Sequence, residues 1–318
     1  MNPVRSRLNP VRYRIEFWLF RALSWVVVVL PERAALGLSS LLGWFVGVVL
    51  RVRRVDTDQH LQIAFPEHDS GWRCRVARGS YMHLAREAAM TLRLSRMDPE
   101  DIVRRTEMEG FEALRDAAEG GRGAVVISGH LGNWEIAAAA VAARGMPMDV
   151  AAHLQKNPFF HRHMLEVWDR LGLTVMVKNE AFRLVPQALA AGRVVALISD
   201  QNMRKRGVFV DFFGRSAATA RGPALFALRT GAPVFFGVAV RKHGFPSRYR
   251  VIIDRIPLSE GAPDGEGATD AHAIRDLTQR HVSRLEAHIR EAPSQYFWQH
   301  RRWKTRPEPS PAPSPEPP

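Results

Sequence analysis

The stretch Ala124-Val-Val-Ile-Ser-Gly-His-Leu-Gly-Asn-Trp-Glu-Ile-Ala-Ala-Ala-Ala140 decides the fold class. Its first five residues form an apolar, β-branched run of strand length, and its last residues are helix-forming alanines. Gly129 and Gly132 between them permit a tight turn, Asn133 is placed to cap the helix, and Glu135 falls in the first helical turn. A strand that runs through a glycine turn into a helix is half of a βαβ unit. It puts His130 at the carboxyl edge of the sheet, where open α/β sheets hold their ligands.

The same alternation extends outward. Strands are expected at Val150–Ala152, Thr174–Val177, Val194–Ser199, Val234–Val240 and Tyr249–Ile253, and helices at Trp134–Arg144, Pro158–Leu171 and Glu180–Ala191, the last interrupted by Pro186. Gly207–Gly214 reads as extended chain or half of a hairpin, and Asp270–Glu291 as one long helix. The fold class is therefore α/β, a mixed and partly parallel sheet flanked by helices. Four segments are expected: a basic and hydrophobic membrane anchor over 1–54, a helical segment over 55–109, the α/β body over 110–306, and a disordered Pro-rich tail over 307–318.

The anchor consists of two apolar runs within Ile15–Leu50, separated by Pro31, Glu32 and Arg33. Neither has the ~20 residues of an upright span, so an interfacial hairpin and a crossing both stay open. Arg5, Arg7, Arg12 and Arg14 precede the runs and Arg51, Arg53 and Arg54 follow them, while Trp18, Trp25 and Trp44 suit a membrane interface. The net charge of +13 calls for an anionic partner. Nucleic acid explains neither the apolar start nor the His130 turn, and no nucleic-acid motif is present. The single cysteine, Cys74, excludes an intramolecular disulfide.

His130 and Glu135 carry the chemistry of the turn. A carboxylate in a helix's first turn is favoured by the helix dipole, and an ionised Glu135 can orient and charge-stabilise His130. The pair then has the logic of a hydrolase triad without its serine, His130 taking the proton of a hydroxyl that the substrate brings. A spacing of five positions on a continuous helix suits neither metal ligation nor the zinc motif with histidines four apart, and no metal or cofactor is implied. A histidine that merely caps the turn is the plain alternative. The basic groups Arg204, Lys205 and Arg206, then Arg215 and Arg221, then Arg301, Arg302, Lys304 and Arg306, suit phosphate oxygens or a solvated face.

Gly129-His-Leu-Gly-Asn-Trp-Glu135 resembles the histidine-and-acid motif of the lipid A late acyltransferases. Ser199-Asp-Gln201, Gly207-Val-Phe-Val-Asp-Phe-Phe-Gly214, Ala218-Thr-Ala-Arg-Gly-Pro223, Gln299-His-Arg-Arg-Trp-Lys-Thr-Arg-Pro307 and Ala64-Phe-Pro-Glu67 are similar to that family in the same order. His60 departs from it, standing where the family has asparagine before leucine. The resemblance implies acyl transfer from acyl carrier protein or acyl-coenzyme A to a hydroxyl of a lipid A precursor or similar glycolipid, at the inner membrane with the catalytic body in the cytoplasm. A mannosylated phosphoinositide or another amphiphile is the alternative acceptor within the same superfamily. His130 and Glu135 are then the catalytic pair and Arg170 is the matching arginine for substrate; Asp200 and Gln201 shape the acceptor side or close a strand end, and Arg204 and Arg221 are the candidates for substrate phosphate. An apolar groove walled by aromatic residues such as Phe212, Phe213 or Phe226 is expected to measure the acyl chain.

Overall fold

The computed structural model describes residues 9–152, 155–177, 180–204, 207–258 and 270–307. The Pro-rich tail beyond 307, Lys205 and Arg206, and Arg5 and Arg7 lie outside the described residues. Five helices come first: α1 (Asn9–Val29), α2 (Glu32–Trp44, continued by a wider turn over Phe45–Val49), α3 (Arg54–Ala64), α4 (Ser70–Leu94) and α5 (Pro99–Arg105). The chain then alternates through β1 (Thr106–Glu109), α6 (Phe111–Ala117), β2 (Ala124–Ser128), α7 (Trp134–Ala142), β3 (Met148–Ala152), α8 (Pro158–Arg170), β4 (Leu173–Val177), α9 (Ala181–Ala190) and β5 (Val194–Ile198). It closes with the hairpin β6 (Gly207–Phe212) and β7 (Arg215–Ala220), α10 (Gly222–Thr230), β8 (Val234–Arg241), β9 (Tyr249–Ile256) and α11 (Ala271–Glu291).

The main sheet has the order β1-β9-β8-β2-β5-β3-β4, parallel at every pairing except the antiparallel β8–β9. This is the α/β, mixed sheet expected, with strands and helices close to the anticipated bounds. The short edge strand β1 and the helices α6 and α10 were not anticipated. Pro186 sits in the middle of α9, where the missing N–H forfeits one helical bond.

Every residue of β2 is buried, because the sheet is covered on both faces. Val125 and Ile127 join a core that includes Phe236, Val238, Leu285 and Trp298, on the side of α9, α10 and α11. Ala124 and Val126 point the other way, into a core that includes Ile136 and Ala140 of α7 and Met90 of α4. The period of two along one strand thus divides the molecule into three layers.

The outer faces of α1 and α2 have no such cover. Trp18, Leu19, Trp25, Leu38, Leu41 and Leu42 are all more than half exposed. The stretch Glu32–Val49 is long and apolar enough, by length and composition, to cross a membrane. α1 is tied to the body through α8: Phe20 meets Phe160 edge to face at 4.7 Å, and the Asn157 amide donates to the Tyr13 carbonyl at 2.9 Å.

Candidate active site

β2 and β5 are parallel neighbours whose register pairs Ser128 with Ile198. Two residues beyond each strand end come His130 and Asp200, so the register alone brings them side by side at the carboxyl edge. The His130 ring places Nδ1 2.6 Å from Oδ1 of Asp200, and the His130 backbone N–H donates to Oδ2 at 2.8 Å. Held at both oxygens, the carboxylate fixes the turn and the ring together.

The turn itself is pinned on its other side. Gly132 has φ +64°, and a Cβ there would stand 1.9 Å from the Ala239 carbonyl oxygen, so only glycine fits. The Asn133 side chain accepts from the Ile136 N–H at 2.9 Å and caps α7 as expected. Its amide donates to the buried Glu87 of α4 at 2.8 Å, and Glu87 is also bound by Arg241 and by the Tyr249 hydroxyl. Phe297 N–H donates to the His130 carbonyl at 3.1 Å, so the C-terminal segment backs the turn.

Burial alone would raise the Asp200 carboxyl. The His130 charge, two hydrogen bonds from His130 and the charge of Arg302 outweigh that and hold it at about 2. Burial depresses His130, but the charge and hydrogen bond of Asp200, with a smaller contribution from Glu135, leave it above its ordinary value. With Asp200 ionised, the neutral imidazole carries its proton on Nδ1 and presents a lone pair at Nε2. That nitrogen lies 3.3 Å from the Gln201 amide nitrogen, which donates to it.

Glu135 occupies the first turn of α7, as expected, but the indole N–H of Trp168 in α8, 3.0 Å away, donates to it in place of His130. Burial raises its carboxyl, against the hydrogen bonds of Trp168 and Trp134 and the His130 charge. Its effect on His130 is one of charge, and the orienting bond is made by Asp200. Two carboxylates from different elements therefore raise one imidazole, Asp200 by a hydrogen bond and charge, Glu135 by charge. Trp134 stands edge-on to the His130 ring at 4.7 Å.

Behind Trp134 and Glu135 a cavity of about 140 Å³ runs between α7 and the sheet, lined by Ala137, Ala138 and Val141 on the helix and by Val126, Ala196, Gly237 and Val251 on the strands. The space exists because α7 turns alanines toward the sheet. Phe212, Phe213 and Phe226 do not line this cavity: Phe212 stacks on Trp303 at 5.4 Å, Phe213 packs on Phe65 and Phe226 on Phe182. These aromatics fill the core on the opposite face of the sheet.

Of the arginines, Arg170 ends α8 and lines a polar cleft with Arg21 and Arg96. Arg204 is exposed three residues after Gln201, and Arg221 is exposed at the start of α10. Arg302 is buried, donates to the Ala218 carbonyl and covers the Phe212 ring, so it braces the hairpin. His60 is also buried, with Nδ1 2.8 Å from the Trp298 carbonyl. The resemblance quoted for the C-terminal segment thus includes residues of the core as well as the charged surface.

The model of the bacterial lipid A biosynthesis acyltransferases matches residues 4–305. The palmitoleoyltransferase of lipid A biosynthesis from Escherichia coli is 26% identical over 311 residues, 95% of either chain. The E. coli lauroyltransferase is 27% identical over 294 residues, 92% of either chain. The phosphatidylinositol mannoside acyltransferase of Mycolicibacterium smegmatis is 30% identical over 165 residues, 51% of this chain and 53% of that one, so the match spans about half of that relative. A strand-end histidine held by a buried aspartate, an apolar slot behind it and a family match over nearly the whole length converge: the chain belongs to the bacterial lipid A biosynthesis acyltransferase family and is an acyltransferase.

Proposed function

We propose that this enzyme moves a fatty acyl group from an acyl thioester, acyl carrier protein or coenzyme A, to a hydroxyl of a lipid A precursor or similar glycolipid. The observation that carries the reading is the His130–Asp200 bond of 2.6 Å beside an apolar slot. Nδ1 is committed to Asp200, so Nε2 takes the proton of the acceptor hydroxyl as that oxygen attacks the thioester carbonyl. The tetrahedral intermediate collapses with loss of the thiolate, and the imidazolium returns the proton to sulfur. An ester and a thiol result, and no side chain is acylated.

Asp200 holds the tautomer and Glu135 adds a second negative charge toward the imidazolium. Gln201 occupies Nε2 in the resting enzyme and yields that position to the acceptor hydroxyl. The alanine-lined slot takes the acyl chain, which would displace Trp134 or pass beside it to reach His130. The exposed faces of α1 and α2 lie in the inner membrane's cytoplasmic interface, where Trp18 and Trp25 and the flanking arginines favour the headgroup level.

Incubation of the purified protein with an acyl thioester and a lipid A precursor, followed by mass spectrometry, tests the reading. A gain of one acyl chain on the glycolipid supports it, and intact glycolipid beside consumed donor contradicts it. The similarity to the mycobacterial acyltransferase supports a second acceptor, a mannosylated phosphoinositide, which the same assay compares directly.

A further inference from the structure

A second cavity, of about 280 Å³, lies between α1, α4 and α8 and meets the first at Glu135 and Trp168, which line both. Its inner walls are apolar, among them Phe20, Val28, Leu92 and Val167. Outward it shares Arg21, Ser95, Arg96 and His163 with a polar recess of about 650 Å³, which adds Arg170, Glu166 and Asp169. The path therefore runs from a charged mouth, along apolar walls, to the catalytic carboxylate.

The arginines of the mouth form no ion pair among the described residues. Arg21 meets the His163 ring at 3.5 Å and Arg170 donates to the Glu166 backbone carbonyl; among the described residues neither these two nor Arg96 has a carboxylate within ion-pair distance. Burial and the charge of Arg21 lower His163 from its ordinary value. Guanidinium forks match phosphate oxygens, and the carboxylates of Glu166 and Asp169 match sugar hydroxyls. One wall of the mouth is α1, whose outer face exposes Trp18, Leu19 and Trp25. That apolar face borders the mouth and suits an amphiphilic ligand held at a lipid surface.

We propose, resting on the glycolipid acceptor argued above, that this cleft binds the phosphate-bearing end of the acceptor, with Arg21 and Arg96 on the phosphate and Glu166 and Asp169 on sugar hydroxyls. The cleft meets the acyl slot at Glu135 and Trp168, so the acceptor and the donor's acyl chain come together beside His130. The phosphate is the acceptor's own; the donor's phosphopantetheine, which also carries phosphate, is the source to be distinguished.

The test uses the full-length protein in neutral-detergent micelles, so that bulk membrane charge plays no part. Binding of a glycolipid bearing a phosphate monoester is compared with that of the same glycolipid after phosphatase treatment, by co-sedimentation that needs no turnover. Arg21→Ala and Arg96→Ala are each expected to weaken binding of the phosphorylated ligand about tenfold, the scale of one charge-assisted hydrogen bond, and to leave the dephosphorylated ligand unaffected. Arg→Lys at either position should recover part of the loss. Equal weakening of both ligands, or a rise in donor KM in place of weaker acceptor binding, overturns the proposal. Phosphate-selective, arginine-dependent binding without transfer would support the cleft and count against the proposed reaction.

Discussion

Asp200 grips His130 at two points, the ring nitrogen at 2.6 Å and the backbone N–H at 2.8 Å, from the end of the strand next to the one that carries the histidine. The bond on the main chain fixes where the ring starts, and the bond on Nδ1 fixes which nitrogen is free. Asp200→Asn keeps the size but can stabilise the wrong tautomer, and the expected fall in kcat is about 10⁴-fold by analogy with a triad aspartate. Removing the negative charge also lowers the His130 pKa. The acid limb of the pH profile, set by the need for neutral imidazole, should lie above the ordinary histidine value in the parent and move to lower pH in the variant. An unmoved limb would show that Asp200 does not face the titrating group.

Glu135 contributes charge without a hydrogen bond to the ring, so Glu135→Gln should lose much of the activity while shifting the acid limb less than Asp200→Asn does. The order follows from the causes that raise His130, in which Asp200 precedes Glu135. Parallel pH–rate profiles of the two variants read it directly. A glutamine variant with an unchanged rate would remove Glu135's charge from catalysis.

The slot under α7 makes a prediction about chain length. Ala138 faces it, and Ala138→Leu takes up space that an acyl chain would fill. Each buried methylene is worth about 0.8 kcal/mol, so two carbons excluded from the slot alter the preference roughly tenfold. A donor series of different lengths should show the optimum moving to shorter chains in the variant. The same optimum in parent and variant would place the chain elsewhere.

Strand and helix positions were legible because both faces of the sheet are buried and the intervening helices repeat at helical spacing. His130 and Glu135 were legible because their turn is local. The bond between His130 and Asp200 was not, since it depends on β5 lying beside β2, a pairing between residues seventy positions apart. The sequence placed Asp200 at a strand end on the acceptor side, and only the strand order turns that into contact with the imidazole. Arg302 reads as one of a run of surface cations, yet the hairpin covers it. β1 has four residues and so lacks a periodic signal, and α10 begins with Gly222-Pro223, which reads as a break. The chain-measuring wall was sought among phenylalanines, whereas the open space lies where α7 has small residues.

The outer face of α1 predicts how the protein is held. Trp18, Leu19 and Trp25 are exposed together with Arg12 and Arg14. Leu19→Ser with Trp25→Ser should weaken sedimentation with vesicles by about tenfold or more, given ~1.5 kcal/mol or more for each large apolar side chain. Raising the salt should weaken the remaining, charge-driven part on anionic vesicles. Full retention of the double variant at high salt would point to another segment as the anchor.

His130 as the general base is the central claim, and single-turnover acyl transfer by His130→Ala tests it most directly. The rate of ester formation from a saturating thioester donor and a glycolipid acceptor should fall about 10² to 10⁴-fold, with the thermal unfolding midpoint near that of the parent. Transfer within a few-fold of the parent rate, by a variant that unfolds at the same temperature, would contradict it.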